Sequence, residues 1–360
     1  MQSNLTPNLL GDLQKQFDLN IAMTEIRGKK FELGAPVTCS TSIKNSVAVG
    51  CGDGTIRFLS SKSDPIVSKT HDGVVLCMTK ADDAVLTGGD DGRLKRTSVN
   101  GEVEEIASFG TKWVDSVAES NGTFACSSER NVYLWSGNRE APIKLEHQSS
   151  VGGLAFDASG RRLAVSHYGG VTIWERPKRR WQSSVLAWKG FHGAVSFSPD
   201  GKYVVTAMQE NALHGWRLRD KGHLAMSGYP AKVKSFAWVG ETPFLTTSGA
   251  DSAVCWPFDG KFGPMERSPV CVAKKNAQLS TYVQCVPGQN AVFAGYKDGS
   301  VLLASINEHS EPLTIRNATG VEVTTISTTQ SASHILIGDA QGKILWAPLN
   351  EEIKHARYVC

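Results

Sequence analysis

The densest group of side chains that could carry chemistry is a run of cations in the middle of the sequence. Residues 161–221 hold eleven Lys and Arg against four Asp and Glu, a local charge of +7 in a chain whose net charge is +3. Cations at this density favour docking of an acidic protein segment or a phosphate-bearing ligand. Trp181 lies within the run, and aromatic side chains beside Arg are typical of interaction hot spots.

Sequence signatures of catalysis are absent. The chain has no G-x-S-x-G nucleophile elbow, no G-x-x-x-x-G-K-[ST] phosphate loop and no H-E-x-x-H metal motif. The glycine-rich stretch 50–54 and the paired aspartates at 82–83 and 90–91 lie between strand-like segments, where these residue types form turns. We therefore expect no catalytic residue, no cofactor and no enzymatic activity.

Support for a metal site is limited to the end of the chain. His355 and Cys360 are five residues apart, and an imidazole with a thiolate suits Zn or Cu(I). A metal site needs three or four ligands, so this pair is a weak candidate and predicts no site by itself. An accessory role in metal homeostasis that uses this tail is one alternative function.

Cysteine usage and hydropathy indicate the compartment. The eight cysteines are scattered, and none forms a C-x-x-C pair, which is typical of thiols in a reducing environment. The sequence has no run of about 18 apolar residues that could span a membrane. Its first twenty residues lack the basic and apolar regions of a secretory signal. We expect a cytoplasmic protein that does not contact a membrane.

Eight segments share one pattern, a turn followed four residues later by a bulky side chain, and they recur about every 41 residues. The turn residues are Gly54, Gly92, Asn131, Gly170, Ala212, Ser252, Gly299 and Gly342. The residues four positions later are Phe58, Arg96, Trp135, Trp174, Trp216, Trp256, Leu303 and Trp346. Such a period, with four short strands (A to D) in each unit, is typical of propeller blades. A sheet that is apolar on both faces must be buried between two neighbours.

Segments 147–175 and 190–219, the latter with the turn SPDGK, resemble the WD40 repeat family, and the resemblance extends over roughly residues 34–350. It implies a single all-β propeller built from four-stranded antiparallel blades. It also implies structural roles for the Phe and Trp positions above, and for His71 and His147 as hydrogen-bond partners of Asp or Ser. The implied function is a rigid, non-catalytic scaffold that binds other proteins or peptides.

The repeats set the expected blade number and domain limits. We count eight units and expect eight blades, with seven as the alternative. One further strand must complete the last blade, and we favour residues 20–28 over the tail at 350–360, because an N-terminal strand would tie the two chain ends together. The expected propeller spans 20–350, between a helical N-terminal tail at 1–19 and a C-terminal tail at 351–360.

The N-terminal tail has a helical pattern over residues 6–18. Thr6 and Pro7 suit the start of a helix, and Leu9, Leu13 and Phe17 fall on one apolar face. This segment is a lid packed on the propeller, a helix that docks on a partner, or a disordered tail.

Propeller topology predicts where the cations lie. The A–B and C–D turns emerge on one rim, which brings nine of the eleven cations together on the fourth and fifth units, while acidic residues at 82–83 and 102–105 occupy these turns of the second unit. The predicted partner-binding residues are Arg161, Arg162, Arg176, Lys178, Arg179, Arg180, Trp181, Lys202, Arg217, Arg219 and Lys221. We expect an acidic protein or peptide partner. Binding of nucleic acid or a phosphate ligand through the same rim is the alternative, which a pI of only about 8.3 disfavours.

Overall fold

The computed structural model describes residues 22–136, 141–178, 180–239, 243–307 and 311–349. The predicted helix at 6–18, the rim residue Arg179 and the tail residues His355 and Cys360 lie outside these ranges.

The described residues form antiparallel sheets with one short helix, α1 (Met23–Arg27), and a first strand, β1 (Lys29–Glu32). Units one to three are separate four-stranded sheets, with their strands in the order A–B–C–D. Unit one comprises β2 (Val37–Ile43), β3 (Ser46–Cys51), β4 (Thr55–Ser60) and β5 (Ile66–Lys69). Unit two comprises β6 (Val75–Ala81), β7 (Ala84–Gly89), β8 (Arg93–Ser98) and β9 (Val103–Ser108). Unit three comprises β10 (Ser116–Ser120), β11 (Thr123–Ser128), β12 (Asn131–Trp135) and β13 (Ile143–Glu146).

Units four and five share one six-stranded sheet, and units six to eight again have one sheet each. The shared sheet comprises β14 (Val151–Phe156), β15 (Arg162–Glu175), β16 (Gln182–Phe197), β17 (Tyr203–Met208), β18 (Leu213–Arg217) and β19 (Gly222–Met226). Unit six comprises β20 (Phe236–Val239), β21 (Phe244–Thr247), β22 (Ala253–Pro257) and β23 (Val270–Val272). Unit seven comprises β24 (Ser280–Cys285), β25 (Ala291–Tyr296), β26 (Val301–Ser305) and β27 (Leu313–Arg316). Unit eight contains β28 (Val323–Thr328), β29 (His334–Asp339) and β30 (Lys343–Pro348).

The sheets form a β-propeller, as predicted, but their number differs from the expected eight. We count each hydrogen-bonded sheet as one blade, and the described part of the chain has seven such sheets. The expectation of eight separate blades was therefore wrong, and the alternative of seven is correct. No repeat is missing. Strand β16 runs through the junction between units four and five and pairs with β15 of unit four and β17 of unit five, which joins both units into one sheet.

Each long strand serves two positions of the repeat. The N–H of Arg176 donates to the carbonyl of Arg161 at 3.1 Å across the two ends of β15, so β15 folds back on itself as the B and C segments of unit four. Strand β16 supplies the D segment of unit four and then the A segment of unit five. Gly169, Gly170 and Gly190 have positive φ at the bends, a conformation that side-chain-bearing residues rarely adopt. The strands therefore change direction without a separating loop.

An N-terminal strand completes the last blade. Strand β1 pairs with β30, from Lys29 opposite Trp346 to Glu32 opposite Lys343. The strand that completes the last blade therefore comes from the expected end of the chain. The prediction of a strand over 20–28 was wrong, because residues 23–27 form α1 and the strand starts at Lys29. Glu25 in the first turn and Arg27 in the last turn suit the helix dipole, which favours the helical turn.

Apolar side chains fill the spaces between successive units. Eight hydrophobic clusters occur among the described residues, and each combines side chains of two consecutive units. One of them joins units four and five inside the shared sheet, where Ile173 packs with Trp216. The repeat positions Phe58, Trp135, Trp216, Trp256 and Trp346 are all buried, and Trp174 is half-buried.

Polar networks anchor the connections between units. His71 is buried, and its Nδ1 donates to Asp91 at 2.9 Å while its Nε2 accepts from Thr87 at 2.9 Å. His147 has a different hydrogen-bond partner: its Nε2 accepts from the Trp174 indole N–H at 3.1 Å.

Other units have a lysine or an arginine where this network has a histidine. Lys275 pairs with Asp298 at 2.7 Å, and Arg316 pairs with Asp339 at 2.6 Å. Both side chains of the Arg316–Asp339 pair are almost fully buried. A cation from one connection thus holds the B–C turn of the following unit.

The shared sheet also contains a cluster of aromatic and imidazole rings. Trp188 stacks on His214 with ring centroids 4.0 Å apart, and the ring nitrogens of His214 and His223 are 3.1 Å apart in a hydrogen bond. Burial, together with His223 and His192, lowers the pKa of His214 to about 3. Burial and the nearby His167 lower the pKa of His147 to about 4.

The buried ion pair between units seven and eight gives a first prediction. We expect Arg316→Met to lower the free energy of unfolding by about 3–5 kcal/mol, because Asp339 would keep a buried charge without its counterion. The matched control Arg93→Met breaks exposed pairs with Asp72 and Glu105 and should cost only about 0–1 kcal/mol. Urea unfolding of the two variants measures the difference, and equal losses would contradict the structural role of the buried pair.

The two buried histidines His147 and His214 give a second prediction, on pH. The folded chain keeps His147 and His214 neutral, whereas the unfolded chain binds protons near the ordinary value of 6.5. Their contribution to stability is therefore complete above pH 6.5 and is lost as the pH falls toward the folded-state values. Each should remove about 1 kcal/mol of unfolding free energy between about pH 6 and pH 5. His214→Gln should flatten this slope in urea titrations, and an unchanged slope would refute the assignment.

Candidate binding site on the basic rim

Two of the predicted rim cations link neighbouring units. Arg162 pairs with Asp157 at 2.9 Å in unit four, donates to the carbonyl of Gly201 in unit five at 2.9 Å, and lies 5.1 Å above the Phe197 ring. These contacts hold Arg162 in a fixed position, with only a quarter of its side chain exposed.

Arg217 forms the corresponding link from unit five to unit six. It donates to Asp220 at 2.8–3.1 Å and to the carbonyl of Lys261 at 3.3 Å. The hydrogen bonds from Arg217 lower the pKa of Asp220 to about 2, so this carboxylate remains ionised. Arg162 and Arg217 thus shape the rim and are only partly accessible to a partner.

Two other predicted residues point toward unit three. Arg176 donates to the hydroxyl of Ser136, and Trp181 is half-buried in the cluster between units three and four, beside Phe156 and Trp174. Trp181 was predicted as a surface contact, but its packing between two sheets leaves little of its ring for a partner.

The remaining described cations are exposed, in two groups. Arg161, Lys178 and Arg180 lie at the ends of the unit-four strands, and Lys202, Arg219 and Lys221 lie on the turns of unit five. Lys202 is paired with Asp200 at 2.9 Å but is 72% exposed, and Arg219 is 3.6 Å from Asp220.

A cavity of about 890 Å³ lies where units four, five and six meet. Its lining includes the cations Arg162, Lys202, Arg217, Arg219, Lys221 and Lys261, and the acids Glu175, Asp200 and Asp259. Six cations against three carboxylates leave a formal charge of +3 for the lining itself, part of which Asp157 and Asp220 offset through their pairs with Arg162, Arg217 and Arg219. The buried side chains Ile173, Leu186, Tyr203 and Phe258 also line the cavity and give it an apolar floor.

The positive charge is available for a ligand because internal pairing is incomplete. Partial burial by itself would raise the pKa of the Asp200 carboxyl. Hydrogen bonds from Ser198 and Lys202 outweigh this effect and lower that pKa. In the described part of the chain, neither Lys221 nor Lys261 forms an ion pair. These two exposed lysines come from adjacent units and border the same cavity.

Two residues were not predicted from the sequence: Lys261, which lines the cavity, and Phe262 beside it, both in the C–D loop of unit six. Phe262 is 47% exposed, and the Arg217 guanidinium and the Lys261 ammonium lie 5.1 and 5.4 Å from its ring centroid. The segment GKFG at 260–263 has a cation and an aromatic residue in a rim turn, and this signal lies outside the run that ended at residue 221.

The acidic side of the rim is partly neutralised. Asp83 pairs with Arg96 at 3.2 Å, and Glu105 lies 3.5 Å from Arg93.

The described residues contain no group of three or more His, Cys, Asp and Glu side chains placed to hold a metal ion, and none of their helices is long and apolar enough to cross a membrane.

Comparison with known proteins bears on the fold. No family model and no curated protein matches the sequence, so the WD40 resemblance stays a prediction. The crystal structure of the computationally designed Ika8 protein is similar, with a TM-score of 0.72, 18% sequence identity, and coverage of 88% of this chain and 97% of that chain. At this identity the similarity establishes the shared fold, so the chain is similar to a designed protein and folds as a β-propeller.

Proposed function

We propose that this propeller is a non-catalytic interaction module that binds an acidic protein segment in the cavity between units four, five and six. The observation that carries the proposal is the cavity itself, where six cations and three carboxylates surround an apolar floor. Long-range attraction would steer an acidic partner to this face, and desolvation in the cavity would then strengthen each charge pair.

The scaffold suits this role because the cations are held on rigid elements. Arg162 and Arg217 tie the turns of units four, five and six together, so the exposed Lys202, Lys221 and Lys261 keep their relative positions. A preorganised charged surface loses less conformational entropy on binding than a mobile loop does. The exposed cations of unit four extend the positive face beyond the cavity.

The volume of the cavity limits what it can hold. About 890 Å³ is at the upper end of the range for small-ligand sites and accommodates several side chains of an extended peptide. A continuous duplex would need a longer track of cations than one cavity provides, which is why we favour a protein segment over nucleic acid.

Charge reversal tests the proposal. The double change Lys221→Glu with Lys261→Glu should weaken binding of a fluorescent peptide rich in Glu and Asp by about tenfold or more, because two attractions become repulsions. Fluorescence anisotropy measures the dissociation constant, and binding to the unchanged protein should weaken as salt is raised.

The matched control is Lys29→Glu with Lys62→Glu, which changes the net charge equally at exposed positions of other units. If both double variants lose the same affinity, the attraction depends on total charge and not on the cavity. If only a DNA oligonucleotide binds and the acidic peptide does not, the protein-partner proposal is wrong.

A further inference from the structure

We infer that the partner segment combines carboxylates with an apolar anchor side chain, and that Phe262 is the residue that contacts this anchor. The inference rests on the proposed function and specifies the chemistry of the ligand. The observation behind it is that about half of the Phe262 side chain is exposed, beside a cavity lined by cations.

The loop that carries Phe262 is anchored at several points. The Tyr203 hydroxyl donates to the carbonyl of Gly260 at 3.3 Å, and the Tyr203 and Phe258 rings meet edge to face at 5.2 Å. An ion pair between Arg267 and Asp259 closes the base of the loop. Phe262 is therefore presented from a fixed turn and does not depend on a mobile segment for its exposure.

Close packing of Gly263 against the Tyr203 ring also fixes the position of the turn that carries Phe262. Gly263 has a φ of +63°, and a Cβ at this position would lie 3.3 Å from the Tyr203 ring. The turn thus lies directly against the wall of the cavity, and Phe262 is held beside Arg217, which lines it. A side chain that contacts Phe262 would leave neighbouring residues of the same peptide within reach of the cavity cations.

The combination of groups selects a mixed ligand. A purely acidic segment would satisfy Lys221 and Lys261 but leave the Phe262 ring exposed to water. A purely apolar segment would cover the ring but desolvate the cations without neutralising them, which is costly. A segment with an aromatic or large aliphatic residue between carboxylates satisfies both, and burying an exposed aromatic ring favours binding.

Two matched peptides test the inference. In the first, one phenylalanine is flanked by Glu and Asp on both sides, and in the second, serine replaces that phenylalanine. We expect the unchanged protein to bind the phenylalanine peptide about tenfold more tightly. Phe262→Ser should remove this preference, and Phe262→Leu should largely keep it because it preserves an apolar contact.

The control variant is Tyr168→Ser, which removes another exposed aromatic ring on the B–C turn of unit four, on the opposite rim, and should leave the preference unchanged. Equal affinity of the unchanged protein for both peptides would overturn the inference while leaving the proposed function intact, provided that the Lys221→Glu, Lys261→Glu variant still loses binding. If neither peptide binds, both proposals are wrong.

Discussion

Burial of both faces of every sheet is the constraint on which this structure depends. A four-stranded sheet with apolar side chains on both faces is stable only between two neighbours, and the ring provides them for each unit. The pairing of β1 with β30 is therefore central, because it gives the last unit its fourth strand and joins the two ends of the described chain. The buried pair of Arg316 and Asp339 lies next to this junction and holds the last B–C turn.

The same constraint explains the shared sheet. Units four and five still bury an apolar cluster between them, although their strands form one hydrogen-bonded sheet. Continuous strands replace the usual connection, so these units have less freedom to shift against each other. The cavity borders this stiffened region, and Arg162 and Arg217 extend the rigidity to unit six. The result is a fixed arrangement of exposed lysines around an apolar floor.

The propeller architecture could be predicted from the sequence because its signal is repeated. A turn residue with a Trp or Phe four positions later marks one strand in six of the eight units, and this pattern persists although the rest of the repeat varies widely. The blade count could not be predicted in this way, because the continuity of β16 between units four and five depends on backbone geometry at Gly190, and that of β15 within unit four on Gly169 and Gly170. The short stretch WKGFHG between the D and A segments, without a polar loop, was the available signal.

The basic face was predictable from local charge, but the roles of its members were not. Arg162, Arg176 and Arg217 look alike in the sequence, yet each is engaged by a neighbouring unit, and such long-range contacts leave no local trace. Lys261 lines the cavity and Phe262 lies beside it, on a loop some forty residues beyond the cation run, a distance set by the repeat period.

Amide hydrogen–deuterium exchange, with and without the acidic phenylalanine peptide, can locate the binding site on the propeller. We expect the bound peptide to slow exchange in residues 200–203, 217–222 and 258–263 and to leave exchange in the B–C turns of the opposite rim unchanged. Protection on the opposite rim, or at the A strands, would show that the cavity between units four, five and six is not the binding site.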